Sequence, residues 1–533
     1  MTGASMRVSD AKTSQSPRRI GRSWLPWSVG VMLAVAGLFV LYLRQAMTWR
    51  VDSDAAANAM QAWDMLHGNV LLHGWWLSDV AFYTTELPEY VLVEAVRGLR
   101  PDVVHVCSAL TYTLLVLSAA LLAKGRAHGR EGIVRALVAA GIMLAPGIFR
   151  GTDALLGAPN HTGTGVPVLL ILLLLDRAEG WQGRKLRWLV PAAVCLMLTW
   201  AQVADPVVTY AAAAPLVLVG AGRVSAALIC RRVRPREWGY DLALAAAGAG
   251  AVPLAEASLA AIRSAGGFSV APLSGPLLAG LASVPAHAQV TGESVLVLFG
   301  ADFWGQPSGV GTALALLHLV AVTAAALALL AGLRDFFGGL DRVGQLLVAG
   351  TVIMLGAAVF GTRVPNVSFA HEIAIVLPFS AVLAGRLLGG PLIRARLEPA
   401  LAVVLAAYLG ALCYAAAGAP TPPQNQAVAD WLVAHDLTYG LGGYWQASSV
   451  TLASGGRVTV APLAYGAAAA RHWEANAAWY DPRSHYANFV ITKAPSAANW
   501  PGFGRPARTY HYGPYTIMVW RRNLLLLLSG NRT

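Results

Sequence analysis

The chain is divided by long apolar stretches, about eleven in number, which alternate with short segments that carry arginine. A stretch of roughly 20 apolar residues is long enough to cross the hydrocarbon core of a bilayer as a helix. Charged residues make up only 12% of the chain, against about 25% in a soluble globular protein, so lipid must replace water over much of the surface. The sequence therefore predicts an α-helical polytopic membrane protein with about 11 transmembrane helices. The predicted spans lie near residues 24–44, 103–123, 133–149, 165–175, 188–204, 207–222, 241–262, 312–333, a stretch ending near 361, 372–389 and 399–417.

The arginine-bearing loops set the predicted orientation of the chain. Basic residues collect on the cytoplasmic side of membrane proteins, and here they fall on alternate loops. This rule predicts a cytoplasmic tail at residues 1–23, a transmembrane domain at 24–417 and an extracytoplasmic C-terminal domain at 418–533. The first apolar stretch is longer than that of a signal peptide, so we interpret it as a retained span. Lysine is scarce beside arginine and alanine, which suggests a GC-rich bacterial genome and therefore the bacterial inner membrane.

Net charge and cysteine content exclude two classes of function. The formal charge is +12, but the basic residues lie in loops between spans rather than on one face, so we expect no nucleic-acid partner. The four cysteines are far apart in sequence, and no CxxC pair occurs. The sequence therefore predicts neither a cysteine zinc site nor a disulfide scaffold.

The segment after the last span has the pattern of a small α/β domain. It opens with a proline-rich linker. Helices are predicted near residues 426–434 and 444–454, and strands near 437–441, 457–460, 488–492 and 515–520. The domain is rich in tryptophan and tyrosine, which could stack on sugar rings or could simply form a small core.

The first outer loop contains the most informative motif. Asp52-Ser53-Asp54 directly follows the first span, and residues 55–69 have the spacing of an amphipathic helix that could lie along the membrane surface. A carboxylate partly removed from water can act as a general base. Alternatively, Asp52 or Ser53 caps the helix and Asp54 is stabilised by the helix dipole.

This arrangement resembles the GT-C superfamily of membrane glycosyltransferases. In that family an acidic residue follows the first span, and an amphipathic helix and a second helix lead into span 2. Here Val51-Asp52-Ser53-Asp54, the helix at 55–68 and Phe82 to Tyr90 match this order. An odd number of spans near eleven and a soluble C-terminal domain match as well. The family commonly has two adjacent acidic residues, whereas Ser53 separates them here, so either Asp52 or Asp54 could be the catalytic one.

The resemblance implies a GT-C-like fold and a reaction. A sugar would be transferred from a polyprenyl-phosphate-linked donor in the lipid bilayer to a glycan, lipid or protein acceptor outside the cytoplasm. Asp52 or Asp54 would take a proton from the acceptor hydroxyl, and one direct displacement would invert the anomeric carbon. The resemblance leaves the cofactor unknown, with a divalent cation as one possibility, because some relatives use one and others do not.

Further polar residues at the outer helix ends are candidates for binding substrate. Positive charge near the outer surface would stabilise the leaving phosphate, and acidic or histidine side chains could bind hydroxyl groups. These candidates are Glu86, Glu89, Arg150, His161, Arg363, His371 and Glu372. Four of them also have a structural interpretation: helix caps for Glu86 and Glu89, snorkelling for Arg363, and a hydrogen bond at a helix start for His161.

Two other classes of function stay open on sequence alone. A membrane transporter would place ionisable residues deep in its spans, whereas here most polar groups lie at the outer helix ends, with Glu256 as an exception. A non-catalytic membrane scaffold or sensor, with an outer ligand-binding domain, would not need Asp52 or Asp54.

Overall fold

The computed structural model describes residues 25–181, 185–230, 235–272, 277–493 and 502–529. The predicted cytoplasmic tail, residues 1–23, lies outside this part of the chain. In chain order the helices are α1 (Leu25–Ala46), α2 (Ser53–Leu66), α3 (Glu86–Arg97), α4 (Asp102–Lys124), α5 (Gly129–Met143), α6 (Arg150–Thr152), α7 (Thr162–Glu179), α8 (Val190–Ala204), α9 (Ala214–Cys230), α10 (Pro235–Ser264), α11 (Val284–Leu298), α12 (Val310–Leu317), α13 (Leu319–Arg334), α14 (Arg342–Phe360), α15 (Val376–Arg394), α16 (Glu398–Ala416), α17 (Gln426–Ala434) and α18 (Tyr444–Ala453).

The helical membrane architecture expected from the sequence is confirmed. Within the described residues, nine helices are long and apolar enough to cross a bilayer, and a tenth span results if α6 and α7 are counted as one broken span. The remaining expected span, near residues 133–149, corresponds to α5, which has only 15 residues. Each predicted span therefore coincides with a helix, although α5 is shorter than an ordinary crossing.

The break between α6 and α7 shapes the region where the candidate residues lie. A single π-helical turn, Asp153–Gly157, continues α6, and the chain then bends by 66° before α7 begins. His161 stands in this bend with φ +58°, a left-handed conformation that is strained for a residue with a side chain. Strain of this kind persists only where surrounding contacts hold it, and it is common at functional sites.

Small residues allow the central helices to cross closely. A Cβ atom added at Gly385 of α15 would lie 2.5 Å from the carbonyl oxygen of Arg135 on α5. Backbones can approach this closely only at glycine, which is the usual way in which helices pack within membranes. The Tyr42 and Tyr112 rings meet edge to face, with their centroids 4.9 Å apart, and join α1 to α4.

The polar contacts of the bundle collect at its two ends. At the end where α1 reaches Ala46, the Gln45 amide donates to the Thr152 hydroxyl at 3.0 Å. At the other end, where α4 reaches Lys124, Arg342 of α14 donates to Asp241 of α10 at 2.6 Å. These pairings join helix ends that alternating spans would place on the same side of the membrane.

The C-terminal segment forms the small α/β domain expected from the sequence. The strands of the chain are β1 (Trp75–Leu77), β2 (Ser269–Val270), β3 (Tyr439–Gly442), β4 (Thr459–Pro462), β5 (Ala475–Asn476), β6 (Phe489–Lys493), β7 (Arg508–Tyr512) and β8 (Tyr515–Val519). Five of them form one sheet in the order β4-β3-β6-β8-β7, in which β3 is parallel to β4 and β6, and β8 is antiparallel to both neighbours. The edge strand β7 has no counterpart among the strands predicted from sequence, because its polar residues are mostly exposed.

The domain packs directly on the first loop, the segment between α1 and α4. Leu452 of α18 is buried in a cluster with alanines of α2, whose small side chains allow the two helices to approach closely. A second, three-stranded sheet pairs β1 of the first loop with β2 and with β5 of the C-terminal domain. The chain after α16 is also held to the end of α1, because the amide of Thr421 donates to the Met47 carbonyl at 2.8 Å.

Candidate active site

Asp52 and Asp54 both lie at the start of α2. Asp52 is the N-cap, and its side chain accepts a hydrogen bond from the Ala55 amide at 3.0 Å. Asp54 lies in the first turn, where the positive end of the helix dipole stabilises a carboxylate. The capping interpretation therefore describes a real contact of Asp52. It does not exclude a chemical role, because both carboxylates also line a cavity.

This cavity, the acidic cavity, has a volume of about 430 Å³. It lies between α2, the π-helical turn, the 3₁₀ helix Val367–Ile373 that precedes α15, and α18. Its lining residues are Arg50, Asp52, Asp54, Asp153, Ala154, Gly157, Ala158, Asn160, Asn366, Ser368, Phe369, His371 and Trp445. Three carboxylates face one arginine here, so the cavity can recognise hydroxyl groups and abstract a proton.

The C-terminal domain supplies the partner of Asp54. The Tyr444 hydroxyl of α18 donates a short hydrogen bond to the Asp54 carboxylate, and the guanidinium of Arg471 lies 4.7 Å from the centre of the Tyr444 ring. Burial and the neighbouring Asp52 charge raise the pKa of Asp54 to about 6, although Tyr444 and Arg471 oppose the shift. Burial likewise raises the pKa of Asp52. A carboxylate with a pKa near 6 is ionised at neutral pH and basic enough to accept a proton.

The cavity is lined by the positive charge of Arg50, and not by Arg150 or Arg363 as expected from the sequence. Arg50 is the one basic arginine or lysine side chain among the described lining residues. Arg150 lies outside the lining, with its guanidinium 5.8 Å from the centre of the Trp304 ring. Arg363 is also outside the lining and forms an ion pair with Asp79. Neither Arg150 nor Arg363 reaches the two aspartates in this structure.

A buried ionic cluster lies directly behind the acidic cavity. Nδ1 of His161 lies 2.8 Å from Asp205, and its Nε2 lies 3.6 Å from Glu372. Burial opposes ionisation of Asp205, but His161 and the hydrogen bonds to Thr164 and Val207 bring its pKa below the usual value. Carboxylates on both sides of the ring favour the doubly protonated imidazolium of His161.

His371 joins this cluster to the cavity. Its ring stacks against that of His161, with centroids 5.6 Å apart, and it lines the cavity itself. Burial and the adjacent His161 lower the pKa of His371 to about 3. The His371 imidazole is therefore neutral at physiological pH and can either donate or accept a hydrogen bond.

Glu86 is buried against the start of α7, and a glycine makes room for it. A Cβ atom at Gly163 would lie 2.5 Å from the Glu86 carboxylate. The Thr85 hydroxyl donates to that carboxylate, and the Thr164 hydroxyl, which donates to Asp205 at 2.9 Å, lies 3.3 Å from it. Burial raises the pKa of Glu86 to about 8, so it is largely protonated at neutral pH. Glu89 lies apart, accepts from the Thr111 hydroxyl at 2.6 Å, and has a pKa raised by burial to about 7.

The structure thus divides the sequence-predicted residues into three groups. Asp52, Asp54 and His371 line the acidic cavity. Glu86, His161 and Glu372 belong to the buried cluster behind it. The members of the third group, which lies elsewhere, are Glu89, Arg150 and Arg363.

Three side chains of this region could hold a metal ion. Ligand atoms of His161, His371 and Glu372 lie within 4.8 Å of one another. Imidazole binds a metal only through an unprotonated nitrogen, whereas both nitrogens of His161 face carboxylates. Metal binding at this place would therefore require His161 to lose a proton and to give up one of its carboxylate partners.

Several residues of the site were not found from the sequence. Arg50 stands two positions before Asp52, and this proximity could have identified it. In the sequence, Tyr444 is one of many aromatic residues of the C-terminal domain, and no motif distinguishes Asp153. Glu474 ties the domain to the first loop, because it accepts hydrogen bonds from the Ser78 amide at 2.9 Å and from Gln61. No local pattern could have paired residues that lie so far apart in the chain.

The chain is similar to known proteins in structure but not in sequence. No protein-family model and no curated protein sequence matches the chain. ArnT from Cupriavidus metallidurans bound to undecaprenyl phosphate is 14% identical, with a TM-score of 0.53 over 93% of this chain and 98% of that one. The apo form of ArnT is 13% identical, with a TM-score of 0.54 over 95% of this chain and 100% of that one.

A further similar structure is the archaeal oligosaccharyltransferase AglB from Archaeoglobus fulgidus, in complex with an inhibitory peptide and a dolichol-phosphate. It is 13% identical, covers 88% of this chain and 70% of its own, and has a TM-score of 0.49. The match to ArnT spans nearly the whole of both chains, including the C-terminal domain. This chain therefore has the fold of ArnT, which is the GT-C fold that its first outer loop implied.

Proposed function

We propose that the protein is a membrane glycosyltransferase that moves a sugar from a polyprenyl-phosphate donor to an extracytoplasmic acceptor. The observation that carries the proposal is the pair of carboxylates with raised pKa in the acidic cavity, at the end of the first membrane helix. The fold shared with ArnT, whose structure contains undecaprenyl phosphate, supports the lipid-linked donor.

The proposed reaction is a single displacement. Asp52 or Asp54 takes the proton of the acceptor hydroxyl, and the oxygen attacks the anomeric carbon of the sugar. The bond between that carbon and the phosphate oxygen breaks, and the lipid phosphate leaves with the electron pair. Attack from the face opposite the leaving group inverts the anomeric configuration. Arg50 is the lining residue placed to stabilise the phosphate charge that develops.

The cluster behind the cavity positions His371. Ionised Asp205 and His161 form a rigid buried support, and the neutral His371 ring stacked on it presents a nitrogen to a sugar hydroxyl. Glu372 holds the other side of His161. In this arrangement His161 and Glu372 act through His371 rather than by contact with the substrate.

We further propose the membrane placement that the loop charges predict. The acidic cavity and the C-terminal domain would then face the extracytoplasmic side of the bacterial inner membrane, where the acceptor is. The donor would enter the cavity sideways from the outer leaflet, with its polyprenyl chain remaining in lipid.

The test is donor turnover by the purified protein in lipid nanodiscs. A panel of undecaprenyl-phosphate-linked sugars would be supplied with candidate acceptors, and release of undecaprenyl phosphate would be measured. The wild type should release it from at least one donor, and the variant that lacks the catalytic aspartate, Asp52→Asn or Asp54→Asn, should release it far more slowly. Release at wild-type rates by both variants would contradict the proposal.

Binding of undecaprenyl phosphate alone tests the role of Arg50. Arg50→Gln should weaken binding about fivefold, the effect of one charge near a membrane surface. Arg363→Gln is the matched control, because Arg363 pairs with Asp79 and does not line the cavity. Equal weakening by both substitutions would show a general charge effect and remove Arg50 from the site.

A further inference from the structure

A second and larger cavity opens at the opposite end of the bundle. This arginine cavity has a volume of about 720 Å³ and lies between the ends of α7, α9 and α13 and the starts of α10 and α14. Within the described parts of the chain, no residue lines both this cavity and the acidic cavity. The reaction proposed above therefore does not account for it.

One side of the arginine cavity is apolar and open to the surroundings of the bundle. Leu218 of α9 is 59% exposed, Val352 of α14 is 45% exposed, and Phe337 in the turn after α13 is 91% exposed. Within a bilayer these side chains meet acyl chains instead of water. A lipid chain can therefore enter the cavity between α9 and α14 without crossing a polar barrier.

The end of the cavity away from these apolar side chains is lined by charged side chains, most of which form ion pairs. Arg342 forms ion pairs with Glu179 and with Asp241. Arg223 lies 3.3 Å from Asp241 and donates to the Gln345 side chain at 3.0 Å. These contacts hold four helices together and place two guanidinium groups at the wall.

Arg187 is the third arginine among the described residues that line the cavity. It forms no ion pair with any residue in the described part of the chain, and its guanidinium lies 4.1 Å from the centre of the Tyr240 ring. The Arg342 guanidinium lies 5.1 Å from the same ring. Three arginines and two acids among the described lining residues leave one positive charge at the end of an apolar cavity. A positive charge at the end of an apolar cavity is complementary to an amphiphile with an anionic head group.

We propose that the arginine cavity is a binding site for an anionic phospholipid of the membrane leaflet opposite the acidic cavity. The lipid phosphate contacts Arg187, and one acyl chain lies along Leu218 and Val352. Arginine suits this role because its planar guanidinium is weakly hydrated and matches phosphate geometry. A neutral lipid would leave the Arg187 charge uncompensated.

Native mass spectrometry of the full chain in detergent tests the proposal. The protein would be exchanged into phosphatidylglycerol or into phosphatidylcholine with the same acyl chains, and retained lipid would be counted. The wild type should retain phosphatidylglycerol about fivefold better than phosphatidylcholine. Arg187→Gln should reduce phosphatidylglycerol retention by about the same factor. Equal retention of the two lipids by the wild type would overturn the proposal.

A second variant blocks the cavity without touching its charges. Gly222 lines the cavity, and a Cβ atom there would have no neighbour within 4 Å, so Gly222→Leu should fold and fill the space. Gly410→Leu is the matched control, since Gly410 is also an exposed helix glycine with nothing within 4 Å, but on α16. Loss of phosphatidylglycerol from Gly222→Leu and not from Gly410→Leu supports the site, and retention by Gly222→Leu contradicts it. Full displacement of the lipid by inorganic phosphate alone would also overturn it, because it would show an anion site that needs no acyl chain.

Discussion

The two ends of the helix bundle differ in whether their carboxylates are paired with arginine. Among the described lining residues of the acidic cavity, Arg50 is the one arginine beside Asp52, Asp54 and Asp153, and burial raises the pKa of Asp52 and Asp54. In the arginine cavity, the carboxylates Glu179 and Asp241 are each bonded to a guanidinium. Paired ions hold helices together, whereas an unneutralised carboxylate costs stability and is retained where chemistry needs a base. We therefore propose that catalysis takes place at the end with the acidic cavity and that the other end holds the helices together.

The largest expected effect is on catalysis at the acidic cavity. Asp52→Asn and Asp54→Asn should each be tested for sugar transfer, and the catalytic one should lose roughly 10²- to 10⁴-fold in rate. Asparagine caps a helix about as well as aspartate, so unfolding of Asp52→Asn should stay near that of the wild type. A large loss of both rate and thermal stability would instead make Asp52 a structural residue and weaken the contrast between the two ends.

At the arginine cavity, where the charges are paired, a substitution should change the stability of the protein. Arg342→Gln leaves Glu179 without its ion pair and should lower the free energy of unfolding by about 3–5 kcal/mol. Arg334→Gln is the control, because its pair with Asp335 is exposed and its loss should leave the unfolding temperature near that of the wild type. Thermal unfolding in detergent measures both. If Arg342→Gln unfolds like Arg334→Gln, the arginine cavity is not the cohesive end.

The pH dependence of stability offers a smaller effect with a definite sign. Burial raises the pKa of Glu86 from its ordinary 4.5 to about 8. The stability contributed by its protonated form is complete below pH 4.5 and is lost as the pH rises through 8. Glu86→Gln stays neutral, so it should be more stable than the wild type at high pH by about 1–3 kcal/mol.

The control for this measurement is Asp430→Asn. Asp430 is exposed on α17 and accepts a hydrogen bond from Gln426. Its substitution should leave the pH dependence of the unfolding temperature as in the wild type. A Glu86→Gln variant that gains nothing above pH 8 would show that Glu86 is already ionised in the folded protein.

The smallest effect should be a shift of the pH–rate profile. The transfer rate of the wild type should rise with pH through about 6, because only ionised Asp54 accepts a proton. Tyr444→Phe removes the hydrogen bond that lowers the pKa of Asp54, so this limb should move to higher pH by up to about one unit. Tyr439→Phe is the control, since Tyr439 donates to the Trp479 carbonyl instead. An unmoved limb in Tyr444→Phe would favour Asp52 as the base.

Much of the fold could be predicted because its signals are local. The helix predicted at 426–434 is α17 (Gln426–Ala434), and the helix predicted near 444–454 is α18 (Tyr444–Ala453). Each apolar stretch became a helix because backbone groups in lipid can be satisfied only within the segment itself. The broken span before α7 was harder, because a π-helical turn and a left-handed His161 have no periodic signature.

Only those residues of the candidate site that lie close together in the sequence could be predicted. Asp52 and Asp54 were found because they sit together at the start of one helix. The expected phosphate arginines, Arg150 and Arg363, lie outside the acidic cavity. Loop position places an arginine at a membrane surface, but helix packing decides which loops meet.

The sequence by itself determined where the membrane helices lie, most elements of the C-terminal domain and the acidic motif after the first span. These follow from chain length, hydrophobicity and turn chemistry, which act over a few residues. Only the tertiary structure decided that Tyr444 bonds to Asp54, 390 positions away, and that His161 bonds to Asp205, 44 positions away. Such partners are chosen by how the helices cross and where the domain docks, and the packing of many side chains together sets both.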